Sequence, residues 1–460
     1  MGAPKAEGTG EGTPISRTGQ ALGTTGLDRL DPAVGQNDNL HGISLLFRLL
    51  RQSGLTVSCD VFNKFKDESG KLKESLSEDV RGLLSLHEAA CVRLHGEDIL
   101  EQAFDFTTKH LKSIADDTSS SPKLAAQASQ ALKYPIPKNI PRLEAKYYIS
   151  ANPLLNTPVV LTFAKLDFNI LQKLHQNELR ELARWWKDLD IPRRLPYARD
   201  RITELFFWVP AVYYEPCYAL GRKILTKVIA VTSLLDDMYD AYGTIEELEL
   251  LTQAIQRWDR NAMDGLNNEC SKELYQILLD MKKQARIYLT EARWLSQNYT
   301  LTLEEYLKLG IHTSTCPLLT LSSVLGMGDN ISRDVFEWFF STPKILTACS
   351  LITRLLDDIM TNEFEKKMGH VDSAIDCYMK EHRVTKQEAV KELYKRVESA
   401  WKDVNEELLR PTEVLKAVLM RVLNFPRCCH IMYADTDAYT FPDYLKDFVA
   451  TLLIHQLPLD

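Results

Sequence analysis

Residues 227–240 read KVIAVTSLLDDMYD, and the reading of this stretch decides the fold. Its apolar run has no strand-like alternation. It continues back to residue 224 and reads as a helix that is apolar on more than one face, the kind that lies inside a helical bundle. Three aspartates follow directly: Asp236, Asp237 and Asp240. Asp236 and Asp240 are four apart and share one helix face, with Asp237 beside them. At a helix C-terminus such charges repel one another and oppose the macrodipole, so a positive partner is expected. Hard oxygen ligands on one face suit Mg²⁺, which takes one or two carboxylates and completes its shell with water and substrate phosphate. Alone, the motif reads equally well as a solvated acidic helix end.

A second constellation changes that balance. Residues 354–365, RLLDDIMTNEFE, follow another apolar run, ILTACSLIT, at 345–353. Asp357, Thr361 and Glu365 are spaced four and four and follow one helical stripe. Two acidic stretches, each behind a buried helix, predict a metal cluster held from both sides of one cavity, as bundle cores allow. The third part is basic. LPYARDRITELFFWVP, at 195–210, sets Arg199 and Arg201 before an aromatic helix, and Arg354 stands one turn ahead of Asp357. Arginine is always charged and forked, which suits diphosphate oxygens, although an Arg-Asp-Arg usually ends in a surface ion-pair network. Together these parts describe a magnesium site with room for three ions, built to draw a diphosphate leaving group away.

The rest of the chain reads as all-α. HGISLLFRLLRQSG (41–54), LLSLHEAACVRLHG (83–96) and ILEQAFDFTTKHLKSI (99–114) place apolar residues three and four apart, and two of them end on glycine. Helix breaks are predicted at 116–122, 134–141, 152–158 and 189–196, all rich in proline or capping residues. A division is expected between 165 and 197. No repeat of solenoid period occurs.

The composition excludes several classes. With 460 residues, 45% of them apolar, most of the chain is globular. A net charge of −8 speaks against nucleic-acid binding. Nine cysteines include no CxxC pair, and RCCH at 427–430 has no partner cluster, so they read as reduced thiols. No apolar run is long enough to span a membrane. Residues 1–37 read as a flexible Gly/Thr-rich leader; residues 1–26 hold seven of the twenty glycines and two acids, unlike a signal or transit peptide. Ala6 stands where a myristoylation signal needs Ser or Thr.

The motifs ARDR, LLDDMYDAYGTIEELELLTQAIQRWD, RLLDDIMTNEFEKK and ESAWKDVNEELLRPT, in this order, resemble the class I terpene synthases of plants, and the likeness covers about residues 38–460. NDNLHGISLLFRLLRQSG and PRLEAKYYI resemble that family's N-terminal α-domain. The resemblance implies two domains: a helical barrel-like one at 38–180 and the catalytic class I bundle at 181–460. It implies three Mg²⁺ ions, with Mn²⁺ as a substitute, two held by Asp236, Asp237 and Asp240 and the third by Asp357, Thr361 and Glu365. Arg199, Arg201 and Arg354 would receive the departing diphosphate. Trp208 and Tyr439 match aromatic positions of the family's pocket, Asp437 in YADTDAY its late acid, and Tyr433 opens that stretch as a substrate contact. Thr313, Ser314 and Thr315 match a helix break whose carbonyls face the substrate. For each of these pocket residues, ordinary core packing is an equal reading.

The implied function is a cytosolic, monomeric sesquiterpene synthase that ionises farnesyl diphosphate and steers the carbocation in an apolar cavity. A monoterpene synthase is the neighbouring alternative; Thr361 and Glu365 speak against a chain-elongating prenyltransferase. A truncated relative that only binds partners through helical surfaces is the alternative from another class. Two departures favour it. The family's N-terminal arm has no counterpart in the glycine-rich leader, which predicts leakier exclusion of water and quenched or hydroxylated products. Asp236 and Asp357 lie only 121 residues apart, and about twenty residues, ~30 Å of helix, are expected to be missing after Asp280.

Overall fold

The computed structural model describes residues 39–459 apart from 120, 152–157, 258–268, 298, 300, 328–330 and 369–371. The expected leader, residues 1–37, lies outside them. Among the described residues the only β-pairing is one bridge between Lys66 and Leu72, so the chain is all-α as its periodicity predicts.

Four helices open the chain: α1 (Leu40–Gln52), α2 (Val80–Ala90), α3 (Asp98–Asp116) and α4 (Pro122–Lys133). Each packs on the next, as short connections dictate. Phe47, Phe62, Leu86 and Leu100 form their core. The ends follow local chemistry. Asn39 caps α1 by accepting from the Gly42 amide at 2.7 Å, and α4 starts on a proline, whose missing N–H costs nothing in a first turn. Gly54, at φ 84°, turns the chain after α1.

Two further proline-led helices follow, α5 (Pro141–Ala151) and α6 (Pro158–Asp188). The predicted break at 134–141 falls between α4 and α5, and that at 189–196 follows the end of α6 and holds one four-residue helix, whereas the expected division at residue 180 lies inside α6. The short α7 (Ile191–Arg194) leads to α8 (Ile202–Val212) and α9 (Ala219–Asp237), which runs into a π-turn at Met238–Tyr242. After α10 (Ile245–Gln256) comes α11 (Glu269–Ser296). The point where residues are expected to be missing falls within α11, which is one continuous helix there; most of 257–268 lies outside the described residues.

The chain then forms α12 (Leu303–Thr313), α13 (Cys316–Val324), α14 (Arg333–Phe340), α15 (Lys344–Met368), α16 (Ala374–His382), α17 (Lys386–Glu407), α18 (Lys416–Met432) and α19 (Lys446–Leu453). As its apolar run predicts, α15 is central and packs on α12, α13, α16, α17 and α18. Burying a leucine such as Leu355, fully enclosed here, contributes about 1.5–3 kcal/mol. Opposite it, α9 packs on α8 and α13; Gly221 and Gly326 meet backbone to backbone, where a Cβ on Gly326 would stand 2.0 Å from the Gly221 Cα. Unlike α15, α9 keeps one face open, with Val231 exposed.

The first four helices are pinned to the bundle through α17. Glu398 accepts from Arg93 at 3.0 Å and from Lys138 at 2.6 Å. Burial alone would raise its carboxyl, but the two cations beside it pull it down to about 2.

Candidate functional site

The apolar run of α9 ends at Asp236, and a π-turn, a feature often found at functional sites, carries the chain through Asp240. Across from it, α15 continues through Asp357, Thr361 and Glu365 without a break. Both acidic stretches open on one cavity of about 380 Å³. Asp236, Asp237, Asp240, Asp357, Thr361 and Glu365 all line it, so helices more than a hundred residues apart in sequence supply a single site.

Four of its carboxylates are raised above their ordinary range. Removal from bulk water raises Asp236, and the neighbouring Asp237 adds to it. Asp240 lies well above the usual range, first through desolvation by the cavity walls and then through the charges of Asp236, Glu291 and Glu365. Desolvation and the adjacent Asp358 push Asp357 up to about 7 against the pull of Arg354; Glu365 reaches about 8 through burial and the charges of Asp357 and Asp358. An all-oxygen donor set that crowds its own negative charge fits a hard divalent cation, which removes the repulsion by displacing the protons.

The two Asp-Asp pairs divide in the same way. Consecutive residues point about 100° apart on a helix, so the second of each pair can reach protein partners that the first cannot. Asp358 is fully buried and accepts from the Tyr306 hydroxyl at 3.0 Å, the Ala374 amide at 2.9 Å and Arg354 at 3.1 Å. Asp237, expected as a metal ligand, lines the cavity and is also clasped by arginines: Arg201 donates to its two oxygens at 3.0 and 3.3 Å, and Arg199 to one at 3.1 Å.

The basic residues also differ from one another. Arg199 is half-exposed on the cavity rim. Arg201 is buried and does not line the cavity; its guanidinium lies 4.2 Å from the centre of the Tyr439 ring and donates to the Tyr439 carbonyl at 3.2 Å. Expected to receive diphosphate, it ties Asp237 to the C-terminal turn. Asp200, between them, points away and accepts from the Trp186 indole at 3.0 Å. Arg354 does line the cavity, 3.2 Å from Asp357.

The remaining predicted residues sit around the rest of the wall. Trp208, Tyr433, Tyr439, Thr313, Ser314 and Thr315 all line it. Thr315 separates α12 from α13 with φ 57°, a left-handed conformation that a β-branched residue holds only under strain. The Tyr433 phenol bonds Asp357, and the Tyr439 hydroxyl is 2.8 Å from Ser233. Asp437 does not reach the cavity; one of its oxygens caps the Tyr439 and Thr440 amides at 3.0 and 2.9 Å.

Sequence reasoning missed Glu291 on α11. It lines a small adjoining cavity with Asp236, Asp240, Arg354 and Glu365, and burial raises its carboxyl to about 7. Nothing in TEARWL announces it, because only the packing of α11 on α10 and α12 brings it there.

With that geometry in view, a family model described as the N-terminal domain of terpene synthases matches residues 26–132. The model for the terpene synthase metal-binding domain matches 187–286 and 280–403. The chain belongs to the terpene synthase family. As such it is a lyase with a metal-binding domain, and the two stretches of that match meet where the sequence predicts missing residues. A (−)-germacrene D synthase of Vitis vinifera is 48% identical over 452 residues, covering 93% of this synthase and 81% of its own length. Sesquiterpene synthase 2 of Toona sinensis is 47% identical, with 92% and 81% covered. Among solved structures, isoprene synthase from grey poplar leaves in complex with three Mg²⁺ ions and dimethylallyl-S-thiolodiphosphate matches this synthase with a TM-score of 0.84 at 31% identity, covering 93% of this chain and 87% of that one. Among the described residues no helix is long and apolar enough to cross a membrane.

Proposed function

We propose that this terpene synthase is a Mg²⁺-dependent sesquiterpene synthase that ionises farnesyl diphosphate. The observation that carries the reading is the single cavity onto which α9 and α15 turn opposed, desolvated carboxylates beside Arg354. Asp236 and Asp240 on one side, and Asp357, Thr361 and Glu365 on the other, would hold the ions, with Mn²⁺ as a substitute. Mg²⁺ held there would supply positive charge to offset the charge developing on a departing diphosphate. Sesquiterpene synthases among the relatives favour the C15 substrate.

The chain's own residues do the rest. Arg354 and Arg199, both on the cavity, attract the diphosphate end and stabilise its growing charge, while Arg201 and Asp237 brace the α9 terminus from behind. The Trp208 and Tyr439 rings flank the hydrocarbon end, where an aromatic face beside a desolvated cation is worth about 2 kcal/mol. The Thr315 break turns helix-end backbone towards the same space. We assign residues 38–180 to the N-terminal α-domain and 181–460 to the catalytic domain, in a chain that acts as a cytosolic monomer. Incubation of the purified chain with farnesyl or geranyl diphosphate, with and without Mg²⁺, followed by gas chromatography and mass spectrometry, tests the reading. Mg²⁺-dependent C15 products are expected. Turnover of geranyl diphosphate alone would replace the substrate, and inert protein that is folded by circular dichroism would refute the activity.

A further inference from the structure

The turn that follows α18 touches both metal-facing helices. Asp437 holds its shape: its side chain accepts from the Tyr439 and Thr440 amides at 3.0 and 2.9 Å, and its carbonyl accepts from the Phe441 amide at 3.1 Å. On the α9 side the ties are polar. The Tyr439 hydroxyl is 2.8 Å from Ser233, and Arg201, which donates to Asp237, also donates to the Tyr439 carbonyl at 3.2 Å. On the α15 side the turn ends in a ring. Phe441 meets Phe364 with centroids 5.4 Å apart and planes at 80°, the edge-to-face arrangement that aromatic quadrupoles favour.

The two rings differ in what they face. Phe364 stands one residue before Glu365 and lines the cavity, as do Tyr439 and Thr440. Phe441 is 43% exposed on its other side. The pair therefore runs from the cavity wall to solvent, and at that point one layer of rings stands between the two. Such a layer matters to this chemistry, because an allylic cation reacts with any water that reaches it before its chain has folded, and closing a site prevents that side reaction.

We propose that Phe441, seated on Phe364, closes the α15 side of the cavity against water, so that this contact sets how much substrate is lost to early quenching. The inference rests on the farnesyl diphosphate reading. In the reaction that the contact suppresses, the C–O bond to diphosphate breaks, and a lone pair of a water oxygen forms a new C–O bond to the allylic cation. The proton then lost from that oxygen passes to the released diphosphate. The sum is farnesyl diphosphate plus water to an acyclic C15 alcohol, diphosphate and one proton. Phe441 acts as a positioning residue: it holds Phe364 and the turn in place and touches no reacting atom.

The test reads the ratio of acyclic alcohol to all other C15 products, which does not depend on total turnover. With farnesyl diphosphate and Mg²⁺, Phe441→Ala should raise that ratio about fivefold, the weight of one aromatic pair, and in ¹⁸O-water the added alcohol should carry the heavy oxygen. Phe441→Tyr keeps the ring and should return the ratio to that of wild type. If the two rings act as a pair, Phe441→Ala should add nothing further in a Phe364→Ala background. An unchanged ratio in Phe441→Ala, an undiminished further rise in the double variant, or wild type that yields acyclic alcohol almost alone overturns the closure and leaves the synthase reading intact. No C15 product from folded wild type overturns both. Hydrogen exchange reads the contact without turnover: the Tyr439 and Thr440 amides should exchange faster in Phe441→Ala, and unchanged exchange would show that the ring does not hold the turn.

Discussion

The acidic end of α9 and the acidic middle of α15 do the same work under different constraints. Both present a first aspartate to the cavity and tie the second to protein partners: Asp237, which still lines the cavity, to Arg199 and Arg201, and Asp358 to Arg354, Tyr306 and the Ala374 amide. On α9 the charges lie where the helix dipole opposes them, and two arginines from a separate segment offset this. On α15 the helix runs on to Met368, and the balancing cation comes from the same helix, three residues earlier. A helix interior supplies its own counter-charge through i, i+3 and i+4 neighbours; a helix end must borrow one from elsewhere in the chain.

The comparison can be broken most sharply at the cavity-facing members. Asp236→Ala and Asp357→Ala should each lower turnover of farnesyl diphosphate by about 10³-fold or more in a Mg²⁺-saturated assay, with far-ultraviolet circular dichroism unchanged. Equal losses would make the two faces equivalent, and retained turnover in either variant would remove that face from the metal site. The protein-facing members should behave otherwise. Asp358→Ala leaves Arg354 with Asp357 alone and strips the Tyr306 hydroxyl and the Ala374 amide of their buried acceptor, and should cost about 3–5 kcal/mol in denaturant unfolding. Asp237→Ala should cost a similar amount, since the buried Arg201 loses its carboxylate even though half-exposed Arg199 can turn to water.

A pH series sharpens the contrast between metal-binding and merely buried acids. Asp357 and Glu365 hold their protons up to about 7 and 8 in the folded chain, above the ordinary 3.8 and 4.5 of the unfolded one. Glu88, which accepts from the Ile136 amide at 2.8 Å, is likewise raised to about 8 by burial. Between those limits the unfolded chain loses protons that the folded chain keeps, so metal-free stability falls as pH rises from about 4.5 to 8. Thermal melts should show that fall. Mg²⁺ should offset the share due to the cavity carboxylates, whereas Glu88→Gln should remove its own share equally with or without metal. The smallest effect belongs to Arg199→Ala, at most about 1 kcal/mol of stability, because its ion pair is open to solvent.

Much of this was legible in the chain. Spacing of four put Asp236 with Asp240, and Asp357 with Thr361 and Glu365, because helical periodicity converts sequence distance directly into a shared face. Prolines 122, 141 and 158 start helices for an equally local reason. The surroundings of Arg201 were not legible, because an arginine near a metal motif looks the same in sequence whether it lines the cavity or backs an aspartate, and only packing shows it buried against Tyr439 and paired with Asp237.

The sequence alone therefore determined the helical class, several helix breaks and the two acidic motifs, all of which depend on residues within a few turns of each other, and the order of the motifs along the chain carried the family resemblance. Tertiary structure decided that the two motifs share one cavity, that Asp237 pairs with arginines while Asp358 is fully buried, and that Glu291 joins from α11. These are questions of which surfaces meet, and they are settled by packing between segments far apart in the chain, where local periodicity carries no information.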